Sequence, residues 1–274
     1  MEHSSFINGN RFSWMADFSI DFDNPTLTID LYKSNAIVFC KTDLLEHFFK
    51  FIQLSNRKYI LITHMSDYPI NEYRFKLAPG NIVKWFAENA LYEDDRLVPI
   101  PIGIENHWGN QKGKFTNHEW FEHNSDVLAA SVKKDELYCN WNPDTNREVR
   151  VPIIQSLEKT GLPIVKESGL SFESYCVSMS SYKWVVCPPG NGADTHRLWE
   201  ALYMGCYPIT LESRIYRWYD LPILQVKRWS DVTPELLDDH DRKWNHKIWN
   251  EKHKFDHLRM EWWENHIKEQ FQNL

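Results

Sequence analysis

Short, continuous apolar runs alternate along this chain with longer segments whose apolar residues recur at helical spacing. In the first half, strands are predicted at 36–42, 58–67 and 96–106, and helices at 43–54 and 80–91. Prolines interrupt the last of these strands, which indicates a short strand near the edge or end of a sheet. Alternation of this kind is typical of an open, parallel α/β sheet.

The second half shows the same alternation, without a detectable internal repeat. Strands are predicted at 135–142, 162–168, 184–190 and 206–211. Helices are predicted at 144–161, 171–183 and 195–205, and a last strand and short helix lie within 221–239. A helix of about 25 residues is predicted over 246–271, and its nearly balanced charges favour packing across domains over a membrane surface.

These patterns predict two α/β domains with a cleft between them. We expect an N-terminal α/β domain over 1–130, a second α/β domain over 131–245, and a C-terminal helix over 246–274 that packs across both. Ligands of such folds gather beyond the carboxyl ends of the strands, so the polar turns at those ends are the candidate site.

Composition narrows the class of protein. Hydrophobic residues make up 42% of the 274 residues, enough for a packed core, and the net charge of −7 disfavours a generic nucleic-acid binder, although a local basic stripe is compatible with it. No signal peptide and no run of ~18 apolar residues is present, so we expect no membrane span and a cytoplasmic location.

The cysteines indicate reduced, buried thiols and disfavour a zinc site. They are odd in number and contain no C-x-x-C pair, and three of them lie in or beside apolar runs. The five are Cys40, Cys139, Cys176, Cys187 and Cys206.

Polar side chains follow two predicted strands of the first half. The turns THMSD and GIENHW carry His64, Asp67, Glu105 and His107. Each is compatible with ordinary turn and capping chemistry. The functional alternative is that one of these four residues is a general base or binds an acceptor.

The stretch CPPGNGADTHRLWEALYMGCYPIT follows an apolar strand and opens a helix. Asp194 is the predicted N-cap, which places His196 and Arg197 in the first turn. Cations there oppose the helix dipole by ~0.3–1 kcal/mol when exposed. A bound anion would reverse this cost, and Gly190 and Gly192 would let the backbone approach a phosphate closely.

Glu200 lies one turn further along the same helix. It either forms a salt bridge with Arg197 or His196, or accepts hydrogen bonds from sugar hydroxyls. A plain, well-capped strand-to-helix turn is the alternative interpretation of the whole stretch.

Other phosphate and catalytic motifs are missing from the sequence. It contains no GxxxxGK[ST] and no GxSxG, and PGNGAD departs from GxGxxG. Two Asp-x-Asp pairs, Asp21 with Asp23 and Asp239 with Asp241, follow no clear buried strand, so we interpret them as solvated turn or cap residues and predict no metal site.

The run VVCPPGNGADTHRLWEALYMGCYPIT resembles the donor-site segment of exostosin-like and related GT-B glycosyltransferases. KWFAEN and VPIPIGIENHW are similar to the amino-terminal half of a bacterial and viral group of these proteins, so the resemblance covers about half of the chain in patches. It implies two Rossmann-like domains, a nucleotide-sugar donor, UDP-linked, bound mainly by the second domain, and no obligatory metal or other cofactor.

By position, the resemblance implies a donor site on the turn and helix start, with contributions from the helix after CNWN. The implied donor residues are Arg147, Arg150, Asn191, Gly192, Asp194, His196, Arg197 and Glu200, together with Gly190 of the same turn. Because the N-terminal domain is reduced, the acceptor site and the catalytic base transfer least well.

The implied reaction is transfer of a sugar to an acceptor hydroxyl. Arg147 and Arg197 would stabilise the departing diphosphate, and Asp67 or His64 would deprotonate the acceptor if the reaction inverts configuration. A retaining reaction needs no such base. Three acceptor or function classes stay open: a glycan precursor, a hydroxymethylated pyrimidine of DNA as in some phage enzymes, or no acceptor at all in a non-catalytic nucleotide-sugar-binding module.

Overall fold

The computed structural model of the chain describes residues 6–22, 29–106, 117–244 and 255–272. Within them the protein is a mixed α/β structure with two five-stranded, entirely parallel sheets. The strands are β1 Phe18–Ile20, β2 Ala36–Lys41, β3 Tyr59–His64, β4 Ile82–Ala87, β5 Leu97–Pro99, β6 Lys134–Asn140, β7 Ile164–Glu167, β8 Tyr182–Val186, β9 Tyr207–Leu211 and β10 Leu224–Val226.

Eleven α-helices accompany these strands in the described ranges. They are α1 Gly9–Met15, α2 Leu45–Ile52, α3 Glu72–Lys76, α4 Asn117–Ala129, α5 Arg147–Arg150, α6 Ile153–Glu158, α7 Phe172–Ser180, α8 His196–Tyr203, α9 Arg214–Arg217, α10 Pro234–Trp244 and α11 Met260–Gln272.

The first sheet has its strands in chain order, β1-β2-β3-β4-β5. Successive strand residues point to opposite faces, and both faces are apolar because both are covered. One face, with Val38 and Leu61, packs on α2 and α3. The other, with Phe39 and Ile62, packs on α1 and α11.

The second sheet has the order β7-β6-β8-β9-β10. Read from its first strand in the chain this is 2-1-3-4-5, a doubly wound order, and the chain reverses direction across the sheet between β6 and β8. The loops that leave these two strands diverge at that point. A crevice therefore opens beyond the carboxyl ends of β6 and β8.

The predicted helix at 80–91 was wrong. Residues Ile82–Ala87 form β4, which pairs in parallel with β3 and β5. Both of its faces are buried, since Trp85 packs in one core and Phe86 in the other. A strand covered on both sides shows no alternation, and its apolar run resembles that of a buried helix.

The predicted continuous helix at 246–271 was also wrong in its described part. A 3₁₀ turn occupies Asp256–Leu258, and α11 begins only at Met260. Residues 246–254 of the prediction lie outside the described residues. α11 packs against α1 and β3, where Trp263 contacts the ring of Phe12 edge-on at 6.4 Å between centroids.

One apolar cluster joins the two halves of the chain. It contains residues of both sheets, such as Phe39 and Val185, together with Leu198 and Leu202 of α8 and Trp263 of α11. The sheets therefore share a core rather than meeting across a solvated gap. No helix in the described ranges has the length and hydrophobicity that a membrane crossing requires.

Candidate functional site

A cleft of about 990 Å³ lies where the carboxyl ends of the two sheets face each other. Its volume is at the upper end of the ~300–1,000 Å³ that is typical of small-molecule sites. Segments after β3, β4 and β5 form one wall, and segments after β6, β7 and β8 form the other. The cleft includes the crevice between β6 and β8, where doubly wound sheets bind ligands.

Arg150 is buried in the wall formed by the second sheet, with 6% of its surface exposed. Its Nε donates a hydrogen bond to Pro189 O at 2.9 Å, and Nη1 donates to Asn142 O at 2.9 Å. Both acceptors are neutral carbonyls of the loops after β8 and β6. The guanidinium is thus held in place at the crevice, and no carboxylate of the described residues forms an ion pair with it.

Gly190 and Gly192 let this wall pack closely. A Cβ on Gly190 would lie 3.2 Å from Arg150 Nη2, and a Cβ on Gly192 would lie 3.0 Å from Asn89 Nδ2 and 3.3 Å from Asp67 Oδ1. A larger residue at 192 would require these neighbours to shift by a few tenths of an ångström. Asn191, between the two glycines, is exposed and lines the cleft.

Arg197 is a second cation in the same wall. Its guanidinium lies over the ring of Tyr175, 5.7 Å from the centroid, and its Nε is buried without a hydrogen-bond partner. Burial and the charge of Arg197 lower the pKa of Arg150 to about 10. Among the residues that the structure describes, no carboxylate oxygen lies within 4 Å of either guanidinium. Tyr175 and the nearby Glu200 raise the pKa of Arg197. Two guanidinium groups that lie near one another without a direct ion pair favour the binding of an anion.

Asp194 is not the N-cap of α8, contrary to the prediction. The cap position is Thr195, which makes no side-chain capping bond. The Asp194 carboxylate accepts hydrogen bonds from the backbone of Ile102 and Thr195 and from Trp199 Nε1, each at 2.9 Å, and from Tyr216 OH at 3.0 Å. It lies at the edge of the cleft, but its oxygens hold α8, α9 and the segment after β5 together.

His196 faces the cleft from the first turn of α8. Its Nδ1 lies 2.8 Å from Gly103 O. A carbonyl only accepts, so Nδ1 carries the proton, and Nε2 is the acceptor nitrogen of the neutral ring.

Glu200 lines the cleft and is buried, and Tyr175 OH donates a hydrogen bond to its Oε2 at 2.9 Å. Burial raises its pKa. In the described part of the chain Glu200 makes no ion pair within 4 Å, so the predicted salt bridge with Arg197 or His196 is not formed at that distance. The other predicted role, contact with ligand hydroxyls, is compatible with its position.

His64 lies at the base of the opposite wall, completely buried. Its Nε2 donates to Pro101 O at 3.0 Å, and its Nδ1 accepts from the backbone nitrogen of Met65 at 2.8 Å. Burial lowers the pKa of His64 to about 3. Because both ring nitrogens are engaged within the protein, His64 does not fit the predicted role of general base.

Glu88, at the end of β4, was missed by the sequence analysis because its segment was predicted to be helical. Its Oε2 accepts a hydrogen bond from Met65 N at 2.8 Å and lies 3.1 Å from His64 Nδ1. Burial and the charge of Asp194 raise the pKa of Glu88 well above its usual range. The raised pKa of Glu88 and the lowered pKa of His64 both favour the uncharged forms, in which the Glu88 hydroxyl is positioned to donate to His64 Nδ1.

The other predicted residues differ in where they lie. Asp67 is exposed and Glu105 half-buried, and both line the cleft on the first-sheet side. Arg147 does not line the cleft: its side chain is 73% exposed and pairs with Asp144 at 2.5 Å. His107 lies outside the described residues.

Among the described residues, no group of three or more His, Cys, Asp and Glu side chains is arranged to hold a metal ion. Asp239 and Asp241 bind Arg242 and Lys183 instead, and Asp23 lies outside the described residues. All five cysteines are free and buried, as predicted. Comparison of the chain with protein-family models gave no match, and comparison with curated proteins gave no significant match.

Proposed function

We propose that this chain is a glycosyltransferase with a GT-B-like arrangement, which moves a sugar from a nucleotide-sugar donor to an acceptor hydroxyl. One observation carries the proposal. Arg150 is buried and Arg197 is half-buried, neither forms an ion pair with a carboxylate within 4 Å in the described structure, and both line the crevice between β6 and β8. A diphosphate would bind both guanidinium groups at the position where doubly wound sheets bind nucleotides.

The proposed step breaks the bond between the anomeric carbon and the diphosphate oxygen. The electron pair leaves with the diphosphate, where Arg150 and Arg197 stabilise the growing charge. The acceptor oxygen bonds to the anomeric carbon and its proton passes to a base. Asp67, exposed on the facing wall, is our candidate for that base if the reaction inverts configuration.

The structure favours Arg150 over Arg147 as the partner of Arg197. Arg150 is fixed by two carbonyls within the crevice, whereas Arg147 lies outside the lining and already has a carboxylate partner. We therefore assign the role implied for Arg147 to Arg150. The five free cysteines support a reducing, cytoplasmic location.

Titration calorimetry with UDP and UDP-glucose tests the proposal. Arg197→Ala and Arg150→Gln each remove a charge-assisted interaction worth ~1.5–3 kcal/mol, so we expect dissociation constants to rise about 10-fold to 100-fold. Arg147→Ala is the matched control, because it removes an arginine of the same region from outside the cleft. Equal affinity of all three folded variants for UDP would rule out this donor site.

Donor hydrolysis separates an enzyme from a non-catalytic binding module. A transferase releases UDP slowly from UDP-sugar in the absence of acceptor, since water replaces the acceptor hydroxyl. We expect release to be lost in Arg197→Ala and retained in Arg147→Ala. Tight UDP-sugar binding without any release would favour the binding module.

A further inference from the structure

The two walls of the cleft differ in the charges that they present to a ligand. On the second-sheet side are Arg150 and Arg197, together with Asp194 and Glu200, two carboxyl groups that are buried and hydrogen-bonded within the protein. On the first-sheet side are the carboxyl groups of Asp67, Glu88 and Glu105, and no lysine or arginine of the described residues lines that side. Glu88 lies buried beside His64, so Asp67 and Glu105 are the groups that present negative charge to a ligand.

From this division we infer that the acceptor half of the cleft is specific for an uncharged or cationic polyhydroxy compound, that is, for a neutral or amino-bearing saccharide. It excludes polyanions such as DNA and sulfated glycans. The inference rests on the proposed function, because it concerns the second substrate of the same cleft. The cleft is the site, and the carboxylates determine the sign of charge that it accepts.

The chemistry of the wall matches hydroxyl groups. Ionised carboxylates only accept hydrogen bonds, and each hydroxyl has one proton to donate, so Asp67 and Glu105 are suitable partners for a saccharide. A phosphate or sulfate offers only acceptor oxygens and is repelled. One like-charge pair at ~4 Å in water-like screening lowers affinity about fivefold, and more where the pair is partly desolvated.

The test measures binding of the full chain, saturated with UDP, to an array of neutral, amino-bearing, sulfated and phosphorylated glycans and to a hydroxymethylcytosine DNA duplex. The variant Asp67→Asn/Glu105→Gln removes two negative charges from the cleft. Asp30→Asn/Glu72→Gln is the control, because both side chains are exposed, outside the cleft and paired with lysines. Melting temperatures establish that every variant is folded.

We expect the native chain to bind neutral or amino-bearing glycans and to bind the anionic ligands at least fivefold more weakly. The cleft variant should gain at least fivefold in affinity for anionic ligands at low salt, an effect that shrinks as ionic strength rises, while the control variant stays unchanged. Three results would each overturn the inference. The native chain could bind anionic ligands as tightly as neutral ones, it could bind no neutral or amino-bearing glycan, or both variants could gain the same affinity for anionic ligands. Calorimetry with UDP is separate, so loss of UDP binding counts against the donor site and not against this specificity.

Discussion

The side-chain oxygen of Asn89 lies 2.8 Å from the backbone nitrogen of Asp194, a hydrogen bond that joins the end of β4 to the loop before α8. Asn89 Nδ2 also donates to Ser66 O at 3.2 Å, in the turn that carries Asp67. One buried amide thus positions parts of both cleft walls. Asn89 has a φ of 53°, a left-handed conformation that asparagine tolerates better than most residues.

Replacing Asn89 should therefore destabilise the fold in two separable ways. Asn89→Ala leaves the Asp194 amide without its partner and places alanine in the left-handed region, for a loss of about 2–3 kcal/mol. Asn89→Gly loses the same hydrogen bond without the backbone cost, and we expect it to be about 1 kcal/mol more stable than the alanine variant. Urea unfolding measures both. An alanine variant as stable as the native protein would show that this bond contributes nothing.

Asp194→Asn should be strongly destabilising although it is nearly isosteric. Both carboxylate oxygens accept hydrogen bonds, from Ile102 N on one oxygen and from Thr195 N and Tyr216 OH on the other. An amide group points a donor at one of these sets, which costs about 2–4 kcal/mol. Thermal unfolding measures the change. Asp144→Asn, at an exposed site, should stay within ~0.5 kcal/mol of the native protein.

The stability of the Glu88→Gln variant relative to that of the native protein should increase as pH rises. A carboxyl group whose pKa is raised in the folded protein contributes stability fully below its unfolded pKa, and that stability is lost as pH rises through the folded pKa. Glutamine has the same charge as the protonated acid and does not titrate. The melting temperature of Glu88→Gln minus that of the native protein should thus increase from pH 4 to pH 8.

The control for this series is Glu72→Gln on the exposed surface of α3. Its difference from the native protein should vary much less with pH. Should the Glu88→Gln difference be flat over the same range, Glu88 would be ionised in the folded protein, and its assignment as a donor to His64 would fail.

The five thiols should be unreactive in the native protein. All are buried, and burial raises the pKa of Cys139 to about 12 and raises the pKa of each of the other four. Because the thiolate is the reactive form, a chromogenic disulfide reagent should label no cysteine at pH 8 and five after unfolding in urea. Rapid labelling of one thiol in the native protein would identify a cysteine that becomes accessible by local opening.

Much of the architecture followed from apolar periodicity alone. The first predicted strand and helix, within residues 36–54, correspond to β2 and α2. The prediction failed at β4, because a strand buried on both faces and a buried helix give the same continuous run of apolar residues. Only the pairing of Trp85 with Leu97 across the sheet decides between them, and that contact is not a local property of the sequence.

The parts of the candidate site that depend on local sequence were predictable, and the parts that depend on distant contacts were not. The turn and helix start that contain Gly190 and Arg197 do line the cleft, since their chemistry is local. Asp194 was predicted to cap α8, but its partners Ile102 and Tyr216 come from distant segments. Likewise, nothing within the helix of residues 147–150 indicates that Arg150 turns into the crevice while Arg147 turns to solvent.

The position of α11 has a consequence for how the chain folds during synthesis. The first sheet is complete by Pro99, yet one of its faces is covered by Trp263 and Ile267. Until those residues leave the ribosome, side chains such as Phe39 and Ile62 have only α1 as cover on that face. Nascent chains that stall between these points would therefore be preferred clients for chaperones that bind exposed apolar strands.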